Sequence, residues 1–506
     1  MNPVLKPFPK GGLPSASIHS VRFLAEKELA RFKSGKDYPA KPFADATLSD
    51  REPVKAVTIP SGYDRLETFF FVRPGVKTFA LHDGIRKGLA YDAEATASLA
   101  LDLSGLSSGD AERVLSAIGS YLVLATYEPT KYGKKAAKKD SDKKKKTEPE
   151  LLVKSPFSPS RAKEIFESAR SMGEAANLVR TLAEMPANEL RPESYHRRAK
   201  ALAREWGAEF AFYDRKALEK RGAGGFLAVV QADPDHGYGI AKLTYKPKGK
   251  ASGRRVALVG KGLCFDTGGY NIKTGDYMLE MHRDMTGSAV ALATFGHLVR
   301  SGTKDHLECY LALAENLISA TAYRPNEVVI ASNGVSIEVV DTDAEGRMAL
   351  SDTLVLACES DPDLVIDYAT LTGAVIRAID TRRSGVFANR DSLRELAVTA
   401  GEACGERTWG FPIGEDYWEA IQSDIADVRQ CATTNNSDHI YAATFLSSFV
   451  KPEVPWLHVD LAAESNKGGL GLSAKDVTGY GVRLTDEILR RFRPEKKKAA
   501  AKAKKK

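Results

Sequence analysis

What the sequence lacks narrows the field first. The chain has 506 residues but only five cysteines, at positions 264, 309, 358, 404 and 431, and no two of them form a CxxC pair. An odd, scattered set of this kind argues against a disulfide framework or a cysteine zinc site and suits a reducing, cytoplasmic setting. No uninterrupted apolar run is long enough to span a bilayer, so no membrane-spanning segment is expected. Residues 1–10 carry three prolines and no apolar run, so they are not read as a signal peptide. There is no HExxH motif, which excludes one common zinc-peptidase geometry. The nucleotide-binding loop pattern also fails. Arg255 stands where its first glycine belongs, and Gly262 rather than Ser or Thr follows Lys261. Gly260-Lys261-Gly262 lacks the third glycine of the dinucleotide fingerprint, and no internal repeat is present.

Charge of one sign is also scarce in the body of the chain, although the whole carries +7. Between positions 131 and 146 nine lysines stand with two aspartates, giving +7, and residues 494–506 hold seven lysines with one glutamate, giving +6. The remainder is therefore −6. The basicity lives in two appendages whose composition offers nothing to bury, so residues 131–149 are expected as a disordered surface loop and 494–506 as a disordered tail. Lysine tracts of this sort bind phosphates through counterion release without reading sequence, so weak, non-specific binding of nucleic acid or another polyanion is one expectation. Simple solubilisation is the blander one.

What is present is ordinary for a globular protein, with 43% hydrophobic and 27% charged residues, and long enough for two or three domains. Before the lysine loop, 66–72 and 121–125 read as strands and 93–103 and 111–118 as helices. That predicts a smaller N-terminal α/β domain over 1–160. Residues 161–187 read as a long connecting helix ending at Pro186. Over 188–493, apolar strand-like runs at 256–259, 308–313, 364–368 and 456–460 alternate with helical segments such as 289–300. The run 256–259 is expected to enter a glycine-rich turn. Alternation of this kind predicts a larger α/β domain with a mainly parallel sheet covered by helices.

Three segments carry the chemistry. Residues 259–273 read Val-Gly-Lys-Gly-Leu-Cys-Phe-Asp-Thr-Gly-Gly-Tyr-Asn-Ile-Lys, 278–285 read Met-Leu-Glu-Met-His-Arg-Asp-Met, and 341–347 read Asp-Thr-Asp-Ala-Glu-Gly-Arg. Each puts charged side chains at or beyond the end of an apolar run, where open α/β sheets bind their ligands. Asp266, Asp284, Asp343 and Glu345 would repel one another in a single pocket. Two divalent cations would remove that penalty and serve hydrolysis. The oxygen donors suit Mg²⁺, Mn²⁺ or Zn²⁺. Taken alone, the same acids could equally be solvated loop residues, and Lys261 a phosphate binder or a surface lysine.

The segment 341–347 resembles the signature Asn-Thr-Asp-Ala-Glu-Gly-Arg of the leucyl aminopeptidase (cytosol aminopeptidase) family. The Lys-Gly-x-x-Phe-Asp-x-Gly-Gly run at 261–269 is similar to a second family block, with Lys273 and Asp284 at the family spacing. Further agreement lies in Glu315-Asn316, Arg324-Pro325, Thr370-Leu-Thr-Gly-Ala, Ala442-Ala-Thr-Phe-Leu and Trp456-Leu-His-Val-Asp-Leu-Ala. The resemblance covers about residues 180–480; before it, only size and position match. It implies an exopeptidase with two divalent metal ions per subunit, Mn²⁺ or Zn²⁺. Lys261, Asp266, Asp284 and Glu345 would hold the tighter ion, and Asp266, Asp343 and Glu345 the more exchangeable one. A bridging water would lose its proton to become the nucleophile. Lys273 would donate to the scissile carbonyl oxygen, and Arg347 would hold a bicarbonate ion that relays protons. Asp284 and one metal would receive the substrate's free amine. Met281, Thr370 and Leu371 would line the pocket for a leucine-like first side chain of the peptide substrate. A homohexamer is implied as well.

Some residues keep a plainer reading. Met281 could be core, and Thr370 a strand end. His282, His439 and His458 read as structural, and Cys264 has no histidine base beside it to make it a nucleophile. The family's asparagine is Asp341 here. The extra carboxylate could shift metal preference, sit protonated, or accept a hydrogen bond next to a ligand. A DNA-binding regulator on the same fold and an inactive structural relative are the rival readings. The complete ligand set argues against the latter.

Overall fold

The structure, a computed structural model, describes residues 4–7, 18–35, 38–60, 65–89, 98–132, 150–233, 237–249, 251–433 and 436–494. Most of the lysine loop (133–149) and the tail from 495 lie outside these residues. The first sheet is built from β1 (Val4–Pro7), β2 (Ile18–Ala25), β3 (Val54–Pro60), β4 (Arg65–Val72), β5 (Ser98–Asp102) and β6 (Glu150–Lys154), in the order β1-β6-β5-β2-β4-β3. All neighbours are parallel except the edge pair β3–β4. Helices α1 (Thr78–Gly88), α2 (Ser108–Ala125) and α3 (Pro159–Ala183) pack on it and on each other.

Two local expectations change here. Residues 121–125 form no strand but the last turns of α2, which starts at Ser107, whose side chain accepts from the Asp110 amide. Tyr121, Leu122, Val123 and Leu124 are all buried, and Val123 lies against Gly173 of α3. A short apolar run looks the same in a strand and in a helix buried all round, and here length and the serine cap decide for the helix. Conversely, the helix expected over 93–103 is strand β5 at 98–102; 93–97 lie outside the described residues. Leu99, Ala100 and Leu101 are buried on both faces of a parallel sheet, which erases the alternation that marks a half-buried strand. The connecting helix is α3, capped by Ser158 and ending before Pro186.

The second, larger unit contains β7 (Glu209–Tyr213), β8 (Gly239–Tyr245), β9 (Arg255–Asp266), β10 (His306–Asn316), β11 (Val328–Ile330), β12 (Ser336–Glu338), β13 (Leu364–Ala369), β14 (Ser384–Ala388), β15 (Thr408–Gly410), β16 (Val428–Arg429) and β17 (Trp456–Asp460). Eight of them form a sheet in the order β15-β14-β17-β13-β9-β10-β8-β7, and β11-β12-β16 form a small separate one. The four central strands, β17, β13, β9 and β10, run parallel. Their side chains alternate between two cores. Val256, Leu258, Leu311 and Ile366 face one layer with helix α4 (Thr286–Arg300), while Ala257, Val259, Tyr310 and Val365 face the other with α5 (Glu345–Cys358). Helix α6 (Asp438–Ser447) lies beside α5, and α7 (Val482–Arg491) beside α4.

The glycine-rich turn expected after Val259 is not a turn. Strand β9 continues to Asp266, paired with β10 up to Asn316. Gly260 is there because α4 crosses its backbone: a Cβ would lie 2.4 Å from Ser288 Cα. Gly287 answers from the helix side, where a Cβ would lie 2.2 Å from the Tyr368 carbonyl oxygen. This contact seats α4, and Asp284 just before it, against β9. Backbone cannot yield as a side-chain tip can, so Gly260→Ala should cost about 1–3 kcal/mol or more by overpacking. Chemical denaturation of the variant checks this; a midpoint unchanged from the parent would show that α4 is not held this closely.

Candidate metal centre and active site

Each charged side chain reaches the site from the end of an element. Lys261 leaves the middle of β9 and passes closely over Gly346 in the first turn of α5. A Cβ at Gly346 would lie 2.5 Å from Lys261 Cε. Asp266 closes β9. Gly268 (φ +85°) and Gly269 (φ +63°) then turn the chain back, in a conformation that side-chain-bearing residues rarely adopt, and the Lys273 amide donates to Thr267 O at 3.0 Å. Asp284 ends a short 3₁₀ turn before α4, and Asp343 and Glu345 open α5.

The structure brings six of the expected residues together. Lys261 Nζ lies 2.8 Å from Asp284 Oδ2 and 3.0 Å from Glu345 Oε1. Lys273 Nζ lies 2.8 Å from Asp266 Oδ2 and 2.6 Å from Asp343 Oδ1. Donor oxygens of Asp266, Asp343 and Glu345 fall within 4.8 Å of one another. Four carboxylates thus face two ammonium groups in a largely buried space, leaving negative charge in excess. Burial, together with the neighbouring Asp266 and Glu345 carboxylates, pushes the Asp343 carboxyl up to about 7. Burial, then Asp266, raises Glu345, and burial lifts Asp284 well above the usual carboxylate range. Burial alone would lower the Lys261 ammonium, but Asp284, Glu345 and Asp266 more than offset it and hold its pKa high. Apart from these ion pairs, Asp284 Oδ2, Asp343 Oδ1 and Glu345 Oε1 are buried oxygens that accept no hydrogen bond. A convergent set of oxygen donors short of positive charge fits divalent cations.

The other expected residues divide. Thr370 is in contact with the cluster: its Oγ1 donates to Asp284 Oδ1 at 2.8 Å, and its carbonyl accepts from Lys261 at 3.0 Å. Leu371 is partly buried, with its amide donating to Asp460 at 3.0 Å. Met281 lies one turn before Asp284 and is half-buried, its carbonyl accepting from the Asp284 amide. Arg347, in the first turn of α5, is buried and already occupied. Its Nη2 donates to both oxygens of Asp438 at 2.8 Å, and its Nη1 to Gln430 O at 3.2 Å. These contacts take at most three of the five guanidinium N–H groups, and Nε, also buried, has no hydrogen-bond partner. His458 is a structural residue: Nδ1 sits 2.6 Å from Asp367 Oδ1, whose other oxygen accepts from Trp456. Cys264 is buried in the core, and burial pushes its thiol well up.

Asp341, the departure from the family signature, accepts the Asp343 amide on Oδ1 at 2.9 Å, an acceptor that asparagine would supply equally well. Two supporting residues carried no role in the sequence. Asn316 donates to Asp266 Oδ1 at 2.8 Å and to Thr342 O at 3.0 Å, tying the two ligand-bearing loops together. It sits opposite Asp266 in the β9–β10 register, so the sheet pairing would have pointed to it. Gln430 accepts from the amides of Val340 and Asp341 and donates to Ala344 O, buttressing the loop that carries Asp343.

Fold and donor set together define a metal-dependent hydrolase. The profile described as "Cytosol aminopeptidase family, catalytic domain" matches residues 177–485. Proteins named "Probable cytosol aminopeptidase" from Sulfurihydrogenibium sp. and Persephonella marina are 37% and 33% identical, covering 73% and 86% of this chain and 73% and 88% of theirs. Among solved structures, a tomato leucine aminopeptidase variant superposes with a TM-score of 0.80 at 26% identity, covering 97% of each chain. The bottromycin maturation enzyme BotP in complex with Mn superposes with a TM-score of 0.78 at 28% identity, covering 94% of this chain and 99% of its own. The chain belongs to the cytosol aminopeptidase family and is a metal-dependent aminopeptidase. Among the described residues, no helix is long and apolar enough to cross a membrane.

If the hydrogen bonds from Asn316 and to Asp341 do what the geometry indicates, Asn316→Ala should weaken Mn²⁺ binding by roughly 10–100-fold, the usual cost of losing such a support. Asp341→Asn should leave it unchanged. Isothermal titration on both variants checks this, and an Asp341→Asn effect as large as that of Asn316→Ala would mean the extra carboxylate contributes directly to metal affinity.

Proposed function

We propose that the enzyme releases N-terminal amino acids, leucine-like apolar ones by preference, from peptides at a site for two divalent ions, Mn²⁺ or Zn²⁺. The observation that carries this is the convergence of Asp266, Asp284, Asp343 and Glu345 on the buried Lys261 and the half-buried Lys273. Lys261, Asp266, Asp284 and Glu345 would hold one ion, and Asp266, Asp343 and Glu345 the other. When bound, the ions supply the Lewis acidity that makes water nucleophilic at neutral pH. Lys261 must give up its proton to serve as a ligand, and adjacent divalent charge disfavours its ammonium form. Lys273 is then freed from its two carboxylates, and its ammonium donates to the peptide carbonyl oxygen as negative charge develops there. Asp284, oriented by Thr370, would receive the substrate's free amine together with one ion, which restricts cleavage to the first peptide bond. Met281, Thr370 and Leu371 border the space for the first side chain.

The same reading divides the chain into an N-terminal domain (1–160), a connecting helix (161–187), a catalytic domain (188–493) and a tail (494–506). It takes the enzyme as a cytoplasmic homohexamer, on the family resemblance. The two lysine tracts, opposite in charge to the acidic body, suit weak, salt-sensitive contact with polyanions.

Strong chelation should abolish hydrolysis of leucine p-nitroanilide, and Mn²⁺ or Zn²⁺ should restore it. N-acetylation of a peptide should block its cleavage. Asp266→Ala should lose metal and activity together. Lys273→Ala should keep its metal and lose about 10²–10³ in turnover, as for one lost oxyanion donor. Metal analysis beside the kinetics separates these. Full activity after verified metal removal would sink the reading, and a metal-free Lys273→Ala would reassign that lysine.

A further inference from the structure

We propose that the cavity between the two units is a second ligand site, sharing no residue with the metal centre, in which Arg483 and His82 bind a small oxyanion, a carboxylate or a phosphate group.

The first observation is the cavity itself. Helices α1, α2 and α3, which pack on the first sheet, close on α7 and on the end of the helix Asp391–Cys404 of the larger unit. They surround a space of about 320 Å³. Small-molecule sites are commonly of this size and favour such joints between domains. A narrower void of about 40 Å³ adjoins it, and His82 and Arg483 line both.

The second is charge. At the solvent-facing rim Arg161 is shared by Glu112 at 2.8 Å and Glu164 at 3.0 Å, and Arg490 pairs with Asp486 at 2.8 Å. Glu487 pairs with Arg491 at 2.6 Å, and Arg113 with Asp110 at 3.3 Å. Every carboxylate on the wall thus has a cation. Arg483 is different. Half-buried in the first turn of α7, its side chain makes no hydrogen bond and no ion pair among the described residues. Glu406 stands nearby, but its Oε2 accepts the amides of Gly481 and Leu484 at 2.9 and 2.8 Å.

The third is His82, which is 6% exposed and has no hydrogen-bond partner among the described residues. A polar group buried in this way is costly unless something meets it. Burial, then the charges of Arg483 and Arg113, hold its imidazole well below the usual histidine range. The inner wall therefore combines positive potential with a neutral ring that can donate one hydrogen bond.

Those groups set the ligand. A guanidinium fork takes two oxygens of a carboxylate or phosphate, and the imidazole supplies a further donor. One unpaired arginine suits one or two negative charges, and the rim glutamates repel a longer polyanion. A ligand held here touches helices of both units and binds only the folded chain, so it stabilises their joint by mass action.

The experiment uses the full-length, metal-loaded protein in chloride buffer at constant ionic strength. Inorganic phosphate and succinate are titrated separately by calorimetry, and melting temperatures are recorded with each. At least one should bind the parent with a millimolar or smaller dissociation constant and raise its melting temperature; the one that does so identifies the group the site prefers. Arg483→Gln should weaken that binding about tenfold or more, as for a lost charged hydrogen bond, and remove the thermal shift. Ser168→Trp, which fills the cavity from the α3 wall, should do the same, so the test stands if either variant folds. Both should keep their full metal content, which separates this site from anions held by the metal ions. Binding that the folded variants retain in full, or no binding of either anion to the parent at tens of millimolar, would overturn the proposal.

Discussion

Mutual repulsion among four carboxylates is the constraint around which the catalytic unit is arranged. Asp266, Asp284, Asp343 and Glu345 are drawn into one mostly buried space, and two lysine ammonium groups offset only half of their charge. Left unpaired, buried charge of this kind is expensive. It persists because rigid elements hold the carboxylates there: β9 ends at Asp266, α5 begins at Glu345, and α4 fixes the preceding Asp284. The same strain makes the site a cation receptor. In the proposed function, bound divalent ions would relieve the repulsion, with Lys261 as a neutral ligand and Lys273 free to act as an electrophile.

Close backbone packing makes this geometry possible. Gly260 and Gly287 let α4 lie on β9 and β13, and Gly346 lets Lys261 cross the first turn of α5. The glycines of the first segment therefore serve two purposes. Gly268 and Gly269 turn the chain with positive φ, whereas Gly260 admits a neighbouring helix. Outside the ring of charge, Asn316, Gln430 and Asp341 fix the loops by hydrogen bonds to backbone groups. Arg347 and Asp438 add a partly buried pair that joins α5 to α6.

Much of this was legible in the sequence: offsets from apolar runs singled out the four acids, and the family resemblance gave Lys261, Lys273 and the roles of all six. The segments at 261–273, 284 and 341–347 named the six residues that the fold gathers, and the central strands at 256–259, 308–313, 364–368 and 456–460 all lie within observed strands. What was not legible has physical causes. Strand β5 and the end of α2 are buried on all sides, so neither shows the period that separates strand from helix. The glycines after Val259 look like a turn until the helix crossing them is known. Asn316 and Asp438 lie far along the chain from the residues they touch, separated by 50 and 91 positions. Spacing carries no information about such pairs, and only the folded chain shows that Arg347 is paired with Asp438.

The central claim is that the carboxylate cluster exists to hold two divalent ions. Anomalous diffraction at the manganese edge from a Mn²⁺-soaked crystal tests it most directly. The account expects two peaks, one bordered by Lys261, Asp266, Asp284 and Glu345 and the other by Asp266, Asp343 and Glu345. A single peak, or ions bound elsewhere with both lysines still paired to the carboxylates, would contradict it.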